Sequence, residues 1–181
     1  MTQFRKIPTR IEGVFVFQRN PLKDNRGFFE RLYCEQQLLE FGFDKSIVQI
    51  NFSSTDEKGV VRGFHMQEQP QLESKIVACL KGKIFDVAVD MRENSPTYLQ
   101  SHCEILDDEN RKSLVVPDGC AHGFQTLSDH CELLYFHSTP YNASAERGVN
   151  ALDKMLDIKW PLDITKRSEK DQNLPFIKPS N

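Results

Sequence analysis

The sequence predicts an all-β fold, an antiparallel sandwich or barrel with a few short helices. Three observations predict it. Apolar residues recur mostly with period two rather than 3.6. The apolar runs are short, as in Ile76–Leu80. Turn-rich pieces separate them at roughly even spacing, as two-sheet antiparallel architectures require. Along the chain, Ile11–Phe17 suits an early strand and Phe28–Tyr33 another. Glu35–Phe41 reads as a short helix stopped by Gly42, since glycine takes the left-handed backbone that ends helices. Ser46–Ser53 reads as a strand. Lys75–Leu80, Lys81-Gly82 and Lys83–Met91 read as a hairpin with a tight turn. Leu114–Val116, Gly123–Leu127 and Cys131–His137 are further short strands. The proline-bearing tail, Trp160–Asn181, is expected to wrap the surface with at most one helical turn.

Alternation sorts side chains by face. In Lys83–Met91, Ile84, Asp86, Ala88 and Asp90 share one face, and Phe85, Val87, Val89 and Met91 the other. The second set suits the space between two sheets. The first, two acids beside small apolar residues, suits a polar cavity. In Cys131–His137, Leu133, Tyr135 and His137 share a face, which would point Tyr135 and His137 into one pocket.

The 181 residues and 20.9 kDa fit one domain, 1–181, and would cramp two. Lys plus Arg number 23 against 26 Asp plus Glu, a formal net charge of −3. That near-balance argues against bulk nucleic-acid binding and a polybasic membrane surface. Apolar residues at 39% and charged residues at 27% make a globular mix. With 13 Phe, a Phe-rich core is expected. No run is long enough for a transmembrane helix, and MTQFRKIPTR lacks an apolar signal core, so a cytoplasmic location is expected. Cys34, Cys79, Cys103, Cys120 and Cys131 show no C-x-x-C and no zinc spacing, which reads as five reduced thiols.

Two segments could carry chemistry. Gly59–Gln67, GVVRGFHMQ, packs Arg62, His65 and Gln67 among glycines and apolar residues. It reads either as a strand with a hydrogen-bonded histidine or as a site. Pro117–Phe124, PDGCAHGF, fits P-x-G-x-x-H and resembles the second motif of the cupin superfamily. The first cupin motif supplies metal ligands as His-x-His followed by Glu. Here the second His position is Gln67, so the set is broken. His65, Glu73 and His122 could in principle supply three donors, but no metal is expected.

Further stretches follow in order: DNRGFF (Asp24–Phe29), QINFS (Gln49–Ser53), Lys75–Val77, GKIFDVAVDMR (Gly82–Arg92), SPT (Ser95–Thr97), Leu114–Phe124, Trp160-Pro161 and SEKD (Ser168–Asp171). With Gly59–Gln67, this ordered set resembles the dTDP-4-dehydrorhamnose 3,5-epimerase family, a metal-free branch of the cupins. The resemblance implies a cupin jelly-roll barrel, an isomerase without a cofactor, and a dTDP-linked 4-keto-6-deoxy sugar as substrate. The keto group acidifies C3–H and C5–H. A base removes a proton, an enolate forms, and an acid on the far face returns one.

His65 would be the base, since imidazole is the side-chain type that exchanges protons near neutral pH. Asp171 would be its partner, although Ser168-x-x-Asp171 also resembles a capping box in which the acid caps a helical turn. Tyr135 would be the proton donor and Lys75 the cation beside the enolate oxygen. Asp86 could pair with Lys75 across the expected hairpin. Arg26 and Arg62 match positions near the nucleotide and its phosphates. Gln49, Asn51 and His122 match other pocket-lining positions, and Phe29 and Tyr141 could stack on the base. Family members are typically homodimers, and Val14–Phe17 could serve such a contact or simply the core.

Three departures stand near the pocket. The family usually reads R-G-F-F-x-E, whereas here Glu30 follows Phe29 directly and Arg31 takes the usual acid position. Met66 replaces an aromatic, and Asn150–Asp153 reads NALD without the usual Trp. These leave His65, Lys75, Tyr135 and Asp171 in place. The expected function is inversion at C3 and C5 toward an L-rhamnose precursor for surface polysaccharide. The alternatives are a single-centre epimerase, a metal-dependent cupin, or a non-catalytic sugar-nucleotide-binding module.

Overall fold

A computed structural model describes residues Phe4–Lys178. Its strands are β1 (Phe4–Pro8), β2 (Phe15–Arg19), β3 (Leu22–Asp24), β4 (Gly27–Phe29), β5 (Gln49–Thr55), β6 (Val61–Gln67), β7 (Lys75–Lys81), β8 (Lys83–Asp90), β9 (Ser101–Asp107), β10 (Lys112–Val116), β11 (Cys120–Thr126), β12 (Cys131–His137) and β13 (Glu146–Gly148). Two short helices, α1 (Glu35–Glu40) and α2 (Glu169–Gln172), complete it. One sheet runs β1-β2-β10-β7-β12-β5 and the second runs β13-β6-β11-β8-β9, while β3 and β4 form a separate hairpin. Every named strand pairing is antiparallel. The two sheets face one another as a jelly roll.

The interior is filled from both sheets. Val16, Val77, Cys79, Leu114 and Leu133 of the first meet Ile84, Ala88, Leu106 and Phe124 of the second. Burial of each Val, Leu, Ile or Phe among them contributes about 1.5–3 kcal/mol. A second cluster fills the outer face of the first sheet, where Leu38 of α1 and Phe43 pack on Phe15, Phe17 and Phe136. The tail covers the outer face of the second sheet, with Trp160, Ile164 and Leu156 on Phe64, Val87 and Val89. Val14 and Phe15–Phe17 therefore serve the core of this chain.

Several expectations hold. Gly42 stops α1 at φ +94, β12 spans the expected residues, and the described tail has one helical turn. Others are corrected. Lys75–Lys81 and Lys83–Asp90 do not form a hairpin: β7 pairs with β10 and β12, and β8 with β9 and β11. Gly82, at φ +78, turns the chain from one sheet into the other. The faces of β8 are also the reverse of those expected. Ile84 and Ala88 look into the space between the sheets, while Val87 and Val89 lie under the tail. The tail supplies a second apolar layer, so a purely apolar face was no mark of the interior. Ile11–Val14 forms a turn rather than a strand start, closed by Val14 N–H donating to Ile11 O at 3.0 Å and Thr9 Oγ1 donating to Val14 O at 2.7 Å. The strand expected from Ser46 begins at Gln49. Cys79, Cys120 and Cys131 are buried, and burial pushes the Cys79 and Cys120 thiols up to about 12.

Candidate active site

A cavity of about 810 Å³ opens between the sheets, lined from β5, β6, β7, β11, β12 and the tail. His65, Lys75, Tyr135, Asp171, Asn51, Arg62 and His122 all line it. His65 stands on β6 in the second sheet. Tyr135 on β12 and Lys75 on β7 belong to the first, so they face it from the opposite wall.

Asp171 Oδ1 lies 2.7 Å from His65 Nε2, and its Oδ2 accepts from Gly63 N–H at 3.3 Å. The capping role coexists, because Ser168 Oγ accepts from the Asp171 N–H at 3.0 Å. The cap uses Asp171's backbone and leaves its carboxylate for His65. Burial would raise the Asp171 carboxyl, but the bond and charge of His65, with Gly63 and Ser168, hold it below the ordinary range. An ionised carboxylate on Nε2 fixes the orientation of the ring.

Glu146, which the sequence reading missed, has Oε1 3.3 Å from His65 Nδ1. It accepts from Lys170 Nζ at 2.6 Å and from the Tyr141 hydroxyl at 2.9 Å. Burial would raise its carboxyl, while Lys170, Tyr141 and His65 lower it. Glu146 sits on the three-residue β13, too short for any periodicity to signal its direction.

On the opposite wall, burial pushes the Tyr135 phenol far above its ordinary value. It stays protonated across the physiological range, as a proton donor must. Its ring stacks on His137, with centroids 6.0 Å apart, and meets His122 edge-on at 6.1 Å.

The expected Asp86–Lys75 pair does not form, because β7 and β8 lie in different sheets. Asp86 Oδ1 instead lies 2.6 Å from His122 Nε2. Lys75 Nζ bonds Glu73 Oε2 at 2.7 Å. The three residues weighed as metal donors thus have separate partners: His65 has Asp171, His122 has Asp86, and Glu73 has Lys75 and His137.

Other expected contacts fall outside the cavity lining. Arg26, 85% exposed in its side chain, pairs with Asp24, and Phe29 is 72% exposed on the separate hairpin. Gln49 acts at one remove, donating to Asn51 Oδ1 at 3.1 Å and accepting from Tyr141 N–H at 3.1 Å. Lys166 and Arg167 line the cavity and went unnoticed, since nothing local distinguishes a tail cation from a solvated one.

Two of the departures have local explanations. Glu30 accepts from Arg111 at 2.8 Å and lies 3.7 Å from Arg19, so it braces the strand ends. Where the family usually has Trp, the Ala151 carbonyl accepts from Trp160 Nε1 at 3.0 Å, and that indole packs on Phe64 and Phe85.

Fold and cavity together define a class: a jelly-roll protein with groups able to take and to give protons on opposed sheets, beside a buried lysine. Comparison with known proteins narrows it. The family model described as dTDP-4-dehydrorhamnose 3,5-epimerase matches residues 8–179. The dTDP-4-dehydrorhamnose 3,5-epimerase of Shigella flexneri is 39% identical over 168 residues, 92% of each chain. The crystal structure of that enzyme from Bacillus anthracis, with TDP and PPi bound, superposes with a TM-score of 0.93 at 37% identity, covering 96% of this chain and 99% of that one. A Legionella pneumophila 3,5-epimerase in complex with dTDP-4-keto-L-rhamnose gives 0.91 at 36% identity, covering 96% and 92%. The chain belongs to the dTDP-4-dehydrorhamnose 3,5-epimerase family, whose members are isomerases of cupin-like jelly-roll fold.

Proposed function

We propose that this chain inverts C3 and C5 of dTDP-4-keto-6-deoxyglucose, forming the 4-keto precursor of dTDP-L-rhamnose for surface polysaccharide. The observation that carries this reading is the placement of the His65–Asp171 pair and of protonated Tyr135 on opposed walls of one cavity. His65 takes the proton from the carbon beside the keto group. The C–H electron pair moves into the ring C–C bond as the carbonyl oxygen becomes an enolate. Lys75 stabilises that oxygen. Tyr135 returns a proton to the opposite face; exchange with solvent then discharges His65 and reprotonates Tyr135, and the sequence repeats at the second carbon. The substrate's own carbonyl acidifies both positions, so the steps require no redox cofactor.

Arg62, Asn51 and His122 contact the sugar nucleotide from the cavity wall, with Arg62 directed at the diphosphate. Gln49 orients Asn51. Tyr141 stacks on the base at the rim. Arg26 and Phe29 lie on the exposed hairpin with Leu22 and Phe28, an apolar surface that supports homodimer formation, and in the dimer they reach the partner's cavity. The chain works as one domain in the cytoplasm. Among the described residues, no helix is long and apolar enough to cross a membrane.

The test is turnover of dTDP-4-keto-6-deoxyglucose in heavy water. Deuterium at both C3 and C5, with the L-lyxo product, is expected. Deuterium at one centre only would make this a single-centre epimerase, and none at either would remove the enzymatic reading.

A further inference from the structure

Beside the dyad, the cavity contains a second linked set of charged groups. Glu73 is buried, and each of its oxygens is engaged. Oε2 holds Lys75 Nζ at 2.7 Å and Oε1 holds His137 Nδ1 at 2.7 Å. His137 is 8% exposed, lines the cavity, and has no hydrogen-bond partner for Nε2. Its position follows from register, since His137 on β12 pairs directly with Lys75 on β7. Two positions before Lys75 on the same chain, Glu73 is brought between them. The same imidazole lies parallel to the Tyr135 ring at 6.0 Å.

We propose that Glu73 and His137 are positioning residues for the reaction: Glu73 fixes the Lys75 ammonium, and His137 fixes Glu73 while its ring backs Tyr135. This inference rests on the reading of Lys75 as the cation beside the enolate oxygen. Lysine is a point charge on a flexible stem, and it does not aim itself. A buried ammonium without a counter-charge is costly, and a carboxylate beside it offsets part of that cost. One N–H goes to Glu73, which leaves two for the oxygen that gains charge. Burial would raise the Glu73 carboxyl, yet the His137 bond and Lys75 bring it down to about 2, so the anion persists throughout the working pH range. Stacking on His137 restricts the Tyr135 ring, so one residue braces both groups on the wall facing His65.

The experiment is a double-mutant cycle on epimerisation rate, with dTDP affinity measured by calorimetry. Glu73→Ala should lower kcat about 10–100-fold, with dTDP affinity within about twofold of wild type. In a Lys75→Ala background, the same substitution should change kcat by less than about twofold, because it acts through Lys75. His137→Asn keeps a donor for Glu73 and should retain more activity than His137→Phe, which keeps only the ring. Glu73→Gln, near-isosteric and uncharged, serves in the cycle if Glu73→Ala does not fold. A Glu73 variant with wild-type kcat overturns the inference, as does one whose full loss multiplies onto that of Lys75→Ala. If Lys75→Ala itself turns over like wild type, the assigned role of Lys75 fails instead.

Discussion

A single carboxylate shows how much one residue carries. Asp171 reaches His65 with one oxygen and the Gly63 amide with the other, and its own amide is held by Ser168. Replacing His65 by Ala should cost about 10²-fold or more in kcat/KM, read by steady-state kinetics, because general-base catalysis is of that size. Tyr135→Phe should separate two steps. Solvent deuterium should still enter the substrate through His65, while net inversion falls by a similar factor, a split visible by NMR. Asp171, Glu73 and Asp90 all have carboxyls held below their ordinary range against the opposing effect of burial, Glu73 at about 2. A depressed folded-state pKa contributes stability that is present above the unfolded value and lost as pH falls through the folded one. The urea midpoint should therefore be level above about pH 5 and fall progressively below it. Asp171→Asn should flatten part of that fall. A midpoint independent of pH down to 2 would contradict the ion pairing described.

At the scale of elements, alternation was a good guide to which side chains share a face and a poor guide to which way that face looks and to strand partners. It placed Tyr135 and His137 on one face of β12. It could not tell that Gly82 passes the chain between sheets, because a tight Lys-Gly turn serves a hairpin and a sheet crossing equally well. Asp86 was lost to Lys75 for that reason and gained by His122, its diagonal neighbour across β8 and β11. Close approach of backbones also sets β6 against β11. Gly63 is at φ +118, and a Cβ there would sit 2.5 Å from Gly123 Cα and 2.8 Å from the His122 carbonyl. Gly63→Ala should destabilise by at least ~1 kcal/mol by chemical denaturation. It should also lower activity beyond its effect on folding, since the residues flanking that contact carry His65 and His122.

For the whole molecule, assembly bears on the site. The homodimer proposal expects sedimentation at twice the 20.9 kDa chain mass. A Phe28→Glu/Phe29→Glu pair on the exposed hairpin should shift the chain to monomer and weaken dTDP binding together, because Phe29 and Arg26 lie outside the cavity of their own chain. Retained binding by a monomer would separate the two ideas. The sequence alone determined the all-β character, because periodicity is a local property, while the candidate acid–base residues and their order came from the resemblance of its ordered motifs to the family. Only the tertiary structure decided that Glu73 and His137 meet at Lys75, that Glu146 meets His65, and that Asp86 belongs to His122. Those contacts join residues far apart in the chain, and they depend on which sheet each strand enters and in what register.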